Sequence, residues 1–383
     1  MEKDKYREVD HLKIKTIGFP RMHKEEGEKR DFTPSLFESL SVFKGVRIFL
    51  EKNYGSAMGF TEADYMAAHS GIEFVAHKEV YIKDLVIVLR APIGEELDLM
   101  EPGAVLISML HYDTRLVRND YLKKLEIKSF SMDSVTDDEG VRMVVNYFGT
   151  SMGGARVAYE ELKKRNPERV FKNDQPVQVS IVGFGAVGLN AAKAFKNLSN
   201  EDMRQHHDDY AGLCVNLLTR SITTNEAHLN SVLKNTDIYV DASWRHDTSK
   251  SILKNHEIAE LPEHAILLDI TADPYDLDIS PPQVKGIEGI PTGTLDNYVI
   301  ETNDLVYDTI PDFVDTKERR VVVSCDAWPG VNPVVSMETY GKQLFPFIRL
   351  LLDKGPDTLE IESDNRYERA LVRASLAYFE NHN

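Results

Sequence analysis

Cysteine is almost missing from this chain. Of 383 residues only Cys214 and Cys325 carry a thiol. Two distant cysteines make neither a disulfide framework nor a paired metal-ligand motif. Each lies in an apolar run that reads as strand, where a thiol is expected to be a buried, inert small hydrophobe. Positive charge is also short, with 45 Lys and Arg against 62 Asp and Glu and a net charge of −17. Such a surface repels phosphate backbones and anionic lipid, so neither nucleic acid nor a membrane is an expected partner. Any anionic substrate would then need local arginine or lysine to hold it. Long hydrophobic runs are missing too. The closest, FPFIRLLL at 345–352, is interrupted by Arg349 and falls well short of the roughly 20 apolar residues of a membrane span. The leading MEKDKYREVD has no apolar core of the kind a signal peptide needs, and a cytoplasmic location is the expectation. The twelve histidines form no HxH or HExxH group, so no metal site is expected.

What the chain does have is the composition of a folded globular protein, 42% hydrophobic and 28% charged, at a length that favours two domains. Apolar strand-like runs, among them VRIFLE (46–51), IEFVA (72–76), LVIVLR (85–90) and AVLISML (104–110), alternate with helical patterns such as TEADYMAAHSG. That alternation predicts βαβ units and parallel sheets. One long helical stretch is predicted over 141–165, followed by a second alternating series: VQVSIVGFG, LCVNLLT, DIYVDAS, AILLDIT and RRVVVSC. The predicted class is α/β, with two Rossmann-like doubly wound domains and a catalytic cleft between them. Residues 1–140 form the first part of a substrate domain, 141–333 a dinucleotide-binding domain, and 334–383 helices returning to the substrate domain.

The sharpest motif is VQVSIVGFGAVGLNAAKAF, which sets Gly183, Gly185 and Gly188 in G-x-G-x-x-G register between a strand and a helix. The first glycine makes the tight turn, the second admits the pyrophosphate, and the third lets helix and strand pack closely. Ala186 and Val187 complete the turn, with the phosphates expected on the helix N-terminus. A tight structural turn without a ligand is the plainer alternative. A carboxylate at the end of the second strand would bind the ribose 2′-hydroxyl of NAD and repel a 2′-phosphate. Here LCVNLL ends in Thr219, Arg220 and Ser221, a cation beside two hydroxyls, so NADP is favoured over NAD. Ser243 and Trp244, in DASWRHDT, are placed with the cofactor contacts, Trp244 near the nicotinamide.

Several ionisable residues stand at predicted strand ends, where open α/β sheets bind ligands. Arg30 follows the first strand and its loop, Arg90 ends LVIVL, His111 ends AVLISML and Asp273 lies just beyond AILLDIT. Singly, each reads as a surface salt-bridge partner or a loop hydrogen-bonder. Together they supply two cations for a carboxylate, an imidazole for a proton and a carboxylate for orientation.

These residues sit in EKRDFTP (28–34), YGSAMGFTEADYMAA (54–68), DLVIVLRAP (84–92), EPGAVLISMLHYDT (101–114), VSIVGFGAVGLNAA (179–192), AILLDITADP (265–274) and AWPGVNPVVS (327–336). In that order the chain resembles the alanine dehydrogenase family, whose relatives include transhydrogenase cofactor subunits, lysine-forming saccharopine dehydrogenases and carboxyethylornithine synthase. The resemblance implies Arg30 as the substrate-carboxylate arginine, His111 as the proton-transfer histidine at the keto oxygen, and Asp273 as the catalytic aspartate beside the nicotinamide. Arg90 falls where alanine dehydrogenase has a substrate-binding lysine, and a guanidinium there can clamp but not act as a base. Pro-Tyr-Asp follows Asp273 in place of Gln-Gly-Gly, and Trp328 stands in the loop where Asn-Met is usual. The expected reaction interconverts a 2-oxo acid plus ammonia and an L-amino acid by hydride transfer. An opine- or saccharopine-like enzyme, using a second amino acid as the amine, is one alternative, and a non-catalytic nucleotide-binding homologue is another. Closure of the two domains on each other and assembly as a dimer or hexamer are also expected.

Overall fold

A computed structural model describes residues 14–22, 27–172, 174–206 and 209–382; the leading decapeptide lies outside them. The chain divides into two compact units, residues 1–146 with 333–383 and residues 147–332.

The first unit is built on a six-stranded parallel sheet: β1 (Thr16–Phe19), β2 (Arg47–Glu51), β3 (Ile72–Val75), β4 (Leu85–Arg90), β5 (Val105–Met109) and β6 (Lys128–Ser131), ordered β3-β2-β1-β4-β5-β6. Central β4 reads as an unbroken β-branched and leucine run, the pattern of a parallel strand covered on both faces; Leu85 through Leu89 are all buried. The order reverses direction between β1 and β4, which opens a crevice at their carboxyl ends. The closing helix Pro333–Lys354 packs on helix Pro34–Leu40 of this unit.

The second unit carries β7 (Val177–Val182), β8 (Leu213–Leu218), β9 (Ile238–Asp241), β10 (Ile266–Asp269), β11 (Val299–Ile300) and β12 (Val321–Ser324), ordered β11-β12-β10-β9-β7-β8. All pairs are parallel except the two-residue β11, which runs antiparallel on β12. Its switch point lies at β7, between β8 and β9. Helices Tyr147–Arg165 and Ala186–Gln205 pack against each other in this unit.

The long helix begins at Tyr147, not at 141. Residues 141–146 are an irregular, bent segment instead: Arg142 bridges Thr136, Met143 N–H donates to Val135 C=O and Val145 N–H to the Gln343 side chain. Cys325 is buried, but Cys214 on β8 is only half-buried. Among the described residues no helix is long and apolar enough to cross a membrane.

Candidate functional site

At the switch point of the first unit, Arg30 comes off the loop after β1 with its side chain almost fully enclosed. Its Nε donates to Glu28 Oε1 at 2.9 Å and its Nη2 to Glu28 Oε2 at 2.6 Å. The backbone N–H of Arg30 returns to the same carboxylate at 2.9 Å. A bidentate, charge-assisted grip of this kind fixes the guanidinium plane. Burial pushes the Glu28 carboxyl up, but the Arg30 bonds and the charges of Arg30 and Arg90 outweigh it and hold Glu28 below the usual carboxylate range. One carboxylate therefore feels both arginines, which stand at the ends of adjacent strands. Arg90 closes β4 where the β4–β5 register slips between Ile87 and Arg90, an irregularity of the kind that re-aims a side chain. Next along, Asp31 is buried, accepts from Gly55 N–H at 2.8 Å and lies 3.7 Å from Arg21 Nε. Burial raises its carboxyl to about 7.

One strand further, His111 follows β5 in a left-handed conformation, φ 51°, rare for a residue with a Cβ. Its Nδ1 lies 3.4 Å from Asp133 Oδ2, and its backbone N–H donates to Asp133 Oδ1 at 3.3 Å. Asp133 is anchored in turn by the Ser131 hydroxyl at 2.6 Å, whose oxygen accepts Leu110 N–H at 2.9 Å. Burial pushes Asp133 up, but the bonds and charge of His111 and the Ser131 bond prevail and bring it down to about 2. The imidazole is thus held at one nitrogen by an ionised carboxylate while about half its side chain is exposed, an arrangement suited to proton transfer through the other nitrogen.

In the second unit a cavity of about 1060 Å³ opens over the carboxyl ends of β7, β8 and β9. Gly183 turns at φ 99°, and a Cβ there would lie 2.3 Å from Ala242 O. Gly188 packs so closely that its Cβ would lie 1.9 Å from Gly183 O, whereas a Cβ on Gly185 would meet nothing within 4 Å. That empty cradle at the start of helix Ala186–Gln205 is what an approaching pyrophosphate needs, so the residues present fit a dinucleotide. Ala186, Val187, Thr219, Arg220, Ser243, Trp244 and Asp273 all line the cavity. Gly188 lies beneath the wall, and Ser221 is turned to the Thr219 hydroxyl at 2.7 Å. Trp244 is 84% exposed, but Trp328 is buried in the core with Nε1 donating to Asp269 C=O. Trp244 therefore stands on the cavity wall, and Trp328 does not. Asp273 accepts from Arg245 Nη2 at 2.8 Å, and Arg245 is itself held by Lys250 C=O at 2.9 Å and Val284 C=O at 2.7 Å.

Three partners escaped sequence reasoning: Glu28, Asp133 and Arg245. Glu28 lies two residues from Arg30 inside a stretch that the motifs already mark, and its opposite charge was the available signal. Arg245 lies in DASWRHDT but 28 positions from Asp273, so nothing in the sequence paired the two. Asp133 had no signal either, because its tie to His111 is made across adjacent strands.

Residues 20–147 match the family model described as alanine dehydrogenase/PNT, N-terminal domain. An alanine dehydrogenase from Methanococcus maripaludis is 24% identical over 184 residues, 46% of this chain and 49% of that protein, so the chain spans about half the length of this relative. An alanine dehydrogenase from Mycobacterium tuberculosis is 22% identical over 67% of this chain and 72% of its own length. One from Staphylococcus haemolyticus is 22% identical over 88% and 87%. Among solved structures, an L-alanine dehydrogenase superposes with TM-score 0.69 at 18% identity, covering 94% of both chains. A transhydrogenase from Sinorhizobium meliloti gives 0.60 at 14%, covering 89% of this chain and 96% of that one. The two structures share the α/β fold described above.

Proposed function

We propose that this chain, whose residues 20–147 match the alanine dehydrogenase/PNT N-terminal domain model and which is 22% identical to an alanine dehydrogenase over 67% of its length, is an NAD(P)-dependent amino-acid dehydrogenase of that family, interconverting a 2-oxo acid plus ammonia and an L-amino acid. The observation that carries the reading is the row of groups along one sheet edge: Arg30 and Arg90 around Glu28 at the ends of β1 and β4, then His111 on Asp133 at the end of β5. Arg30 and Arg90 orient the carboxylate and carbonyl of the oxo acid. His111 gives a proton to the carbonyl oxygen as ammonia adds and water leaves, and takes one back in the reverse direction. A nicotinamide held in the cavity lined by Gly183, Gly185 and Asp273 would supply or accept the hydride, with the Asp273 carboxylate on its side. NADP is the favoured cofactor, because Thr219 and Arg220 follow β8 with no carboxylate at its end to repel a 2′-phosphate. A cytoplasmic homo-oligomer belongs to the same reading.

A second reading takes its amine from an amino acid and forms a secondary amine. A hollow of about 680 Å³ next to the ends of β4 and β5 favours it, with Arg115 beside Ile93, Leu116 and Val117 on its wall. Both are tested by one screen: 2-oxo acids with NADPH or NADH, offering either ammonium or ornithine, lysine and arginine. Turnover with ammonium supports the dehydrogenase, and turnover only with a bulky amine replaces it. His111→Ala is expected to cost about 10²- to 10⁴-fold in kcat while the cofactor still binds. Cofactor binding without any turnover would leave only a nucleotide-sensing protein.

A further inference from the structure

Lysine is almost never buried unless it is paired, yet Lys285 is 1% exposed. It stands beneath the cofactor cavity in a loop with no sequence motif. Its Nζ donates to Asp269 Oδ2 at 2.9 Å, and the Ser324 hydroxyl reaches the same oxygen at 3.1 Å. The other oxygen of Asp269 accepts Ala272 N–H at 2.8 Å and the Thr271 hydroxyl at 3.1 Å. Ala272 sits at φ 53°, a strained position that persists only when its surroundings over-determine it, and Asp273 is the next residue. The neighbours of Lys285 grip the opposite wall. Val284 C=O accepts Arg245 Nη2, the guanidinium that holds the Asp273 carboxylate, and Gly286 C=O accepts Ile252 and Leu253 N–H. A side chain at 286 would lie 1.9 Å from Asp241 Oδ2, so this segment is pressed directly against the end of β9.

We propose that Lys285 is the positioning residue for Asp273, locking the 271–273 turn through Asp269 while Val284 steadies the carboxylate through Arg245. Stability alone does not account for the ion pair, since apolar side chains in place of a buried pair are often neutral or stabilising. What the pair adds is direction: Asp269 must stay ionised and fixed to hold the Ala272 amide against its strain. The inference rests on reading Asp273 as the nicotinamide-side group.

The test compares the parent chain with Lys285→Met, and with the double variant Lys285→Met/Asp269→Asn, which buries no lone charge and so keeps the fold even where the single variant does not. Amide exchange of the 270–274 segment and NADPH affinity are measured first, since neither needs turnover. Exchange about tenfold faster, the loss of roughly one hydrogen bond, with unchanged exchange over β7 and unchanged NADPH affinity, is the expected result. Unchanged protection at 270–274 in both variants overturns the proposal. Where the parent chain turns over, kcat is expected to fall by about a hundredfold with KM kept, the size of effect an ångström of misplacement gives. A parental kcat in the folded double variant would equally overturn it. A parent chain with no turnover on any oxo acid would count against the dehydrogenase reading, and the exchange result would still decide the role of Lys285.

Discussion

At the scale of single residues, three of the charged groups named from sequence each meet a partner of opposite sign in the structure. Arg30 meets Glu28, His111 meets Asp133 and Asp273 meets Arg245. Each partner fixes an orientation that the primary group's chemistry needs. Asp133 gives the clearest consequence. It holds the ring of His111 and, through Ser131, the backbone end of β5. Asp133→Asn keeps the shape and removes the charge that steadies an imidazolium. The expected outcome is a drop in kcat of about 10- to 100-fold with little change in oxo-acid KM, measured by steady-state kinetics. A KM effect with kcat kept would mean that Asp133 serves substrate binding instead.

At the scale of elements, the β7–turn–helix unit separates two jobs that one glycine motif hides. Gly185→Ala adds a methyl where nothing lies within 4 Å, so the melting temperature is expected to hold. Cofactor affinity is expected to weaken by about tenfold or more, about 1.4 kcal/mol. Gly188→Ala drives a methyl to 1.9 Å from Gly183 O and is expected to cost about 1–3 kcal/mol of stability. Melting curves and an NADPH titration on both variants check the pair, and the reverse pattern would contradict the assigned roles. The same unit shows why so much was legible. β7 is rich in Val and Ile, with only Gln178 and Ser180 between them, and a Rossmann turn must carry its glycines in order, so the strand and the fingerprint could be read directly. The two-residue β11 could not, because its strand character comes from β12. Residues 141–146 look helical by pattern, but their backbone is claimed by Val135 and by Gln343, almost two hundred positions away. Lys285 was invisible for the same reason, since a lysine in a loop reads as solvated until a fold closes over it.

At the scale of the whole molecule, each unit carries one buried carboxyl held far above its ordinary range, and the two act on stability in the same direction. Burial raises Asp31 to about 7 in the first unit. In the second, burial and the nearby charge of Asp269 raise Asp241 to about 6. An unfolded aspartate titrates near pH 3.9, so between about pH 4 and 7 the folded chain binds more protons than the unfolded one, and stability must fall as pH rises through that window. Above it the loss is complete and the curve is flat. Carboxyls held low, such as Glu28 and Asp133, work oppositely. They stabilise above the unfolded value and lose that contribution only as the pH drops through their folded values, so they do not mask the neutral window. The chain is therefore expected to be more resistant to urea at pH 5 than at pH 8, by an amount on the order of a few kcal/mol shared between the two units. Asp31→Asn keeps an acceptor for Gly55 N–H while removing the titration. It should raise the stability of the first unit at pH 8 and flatten its pH dependence, leaving the second unit's slope in place. Urea unfolding of the parent and the variant at the two pH values decides the matter. Equal slopes in both proteins would mean that Asp31 does not hold its proton in the folded chain.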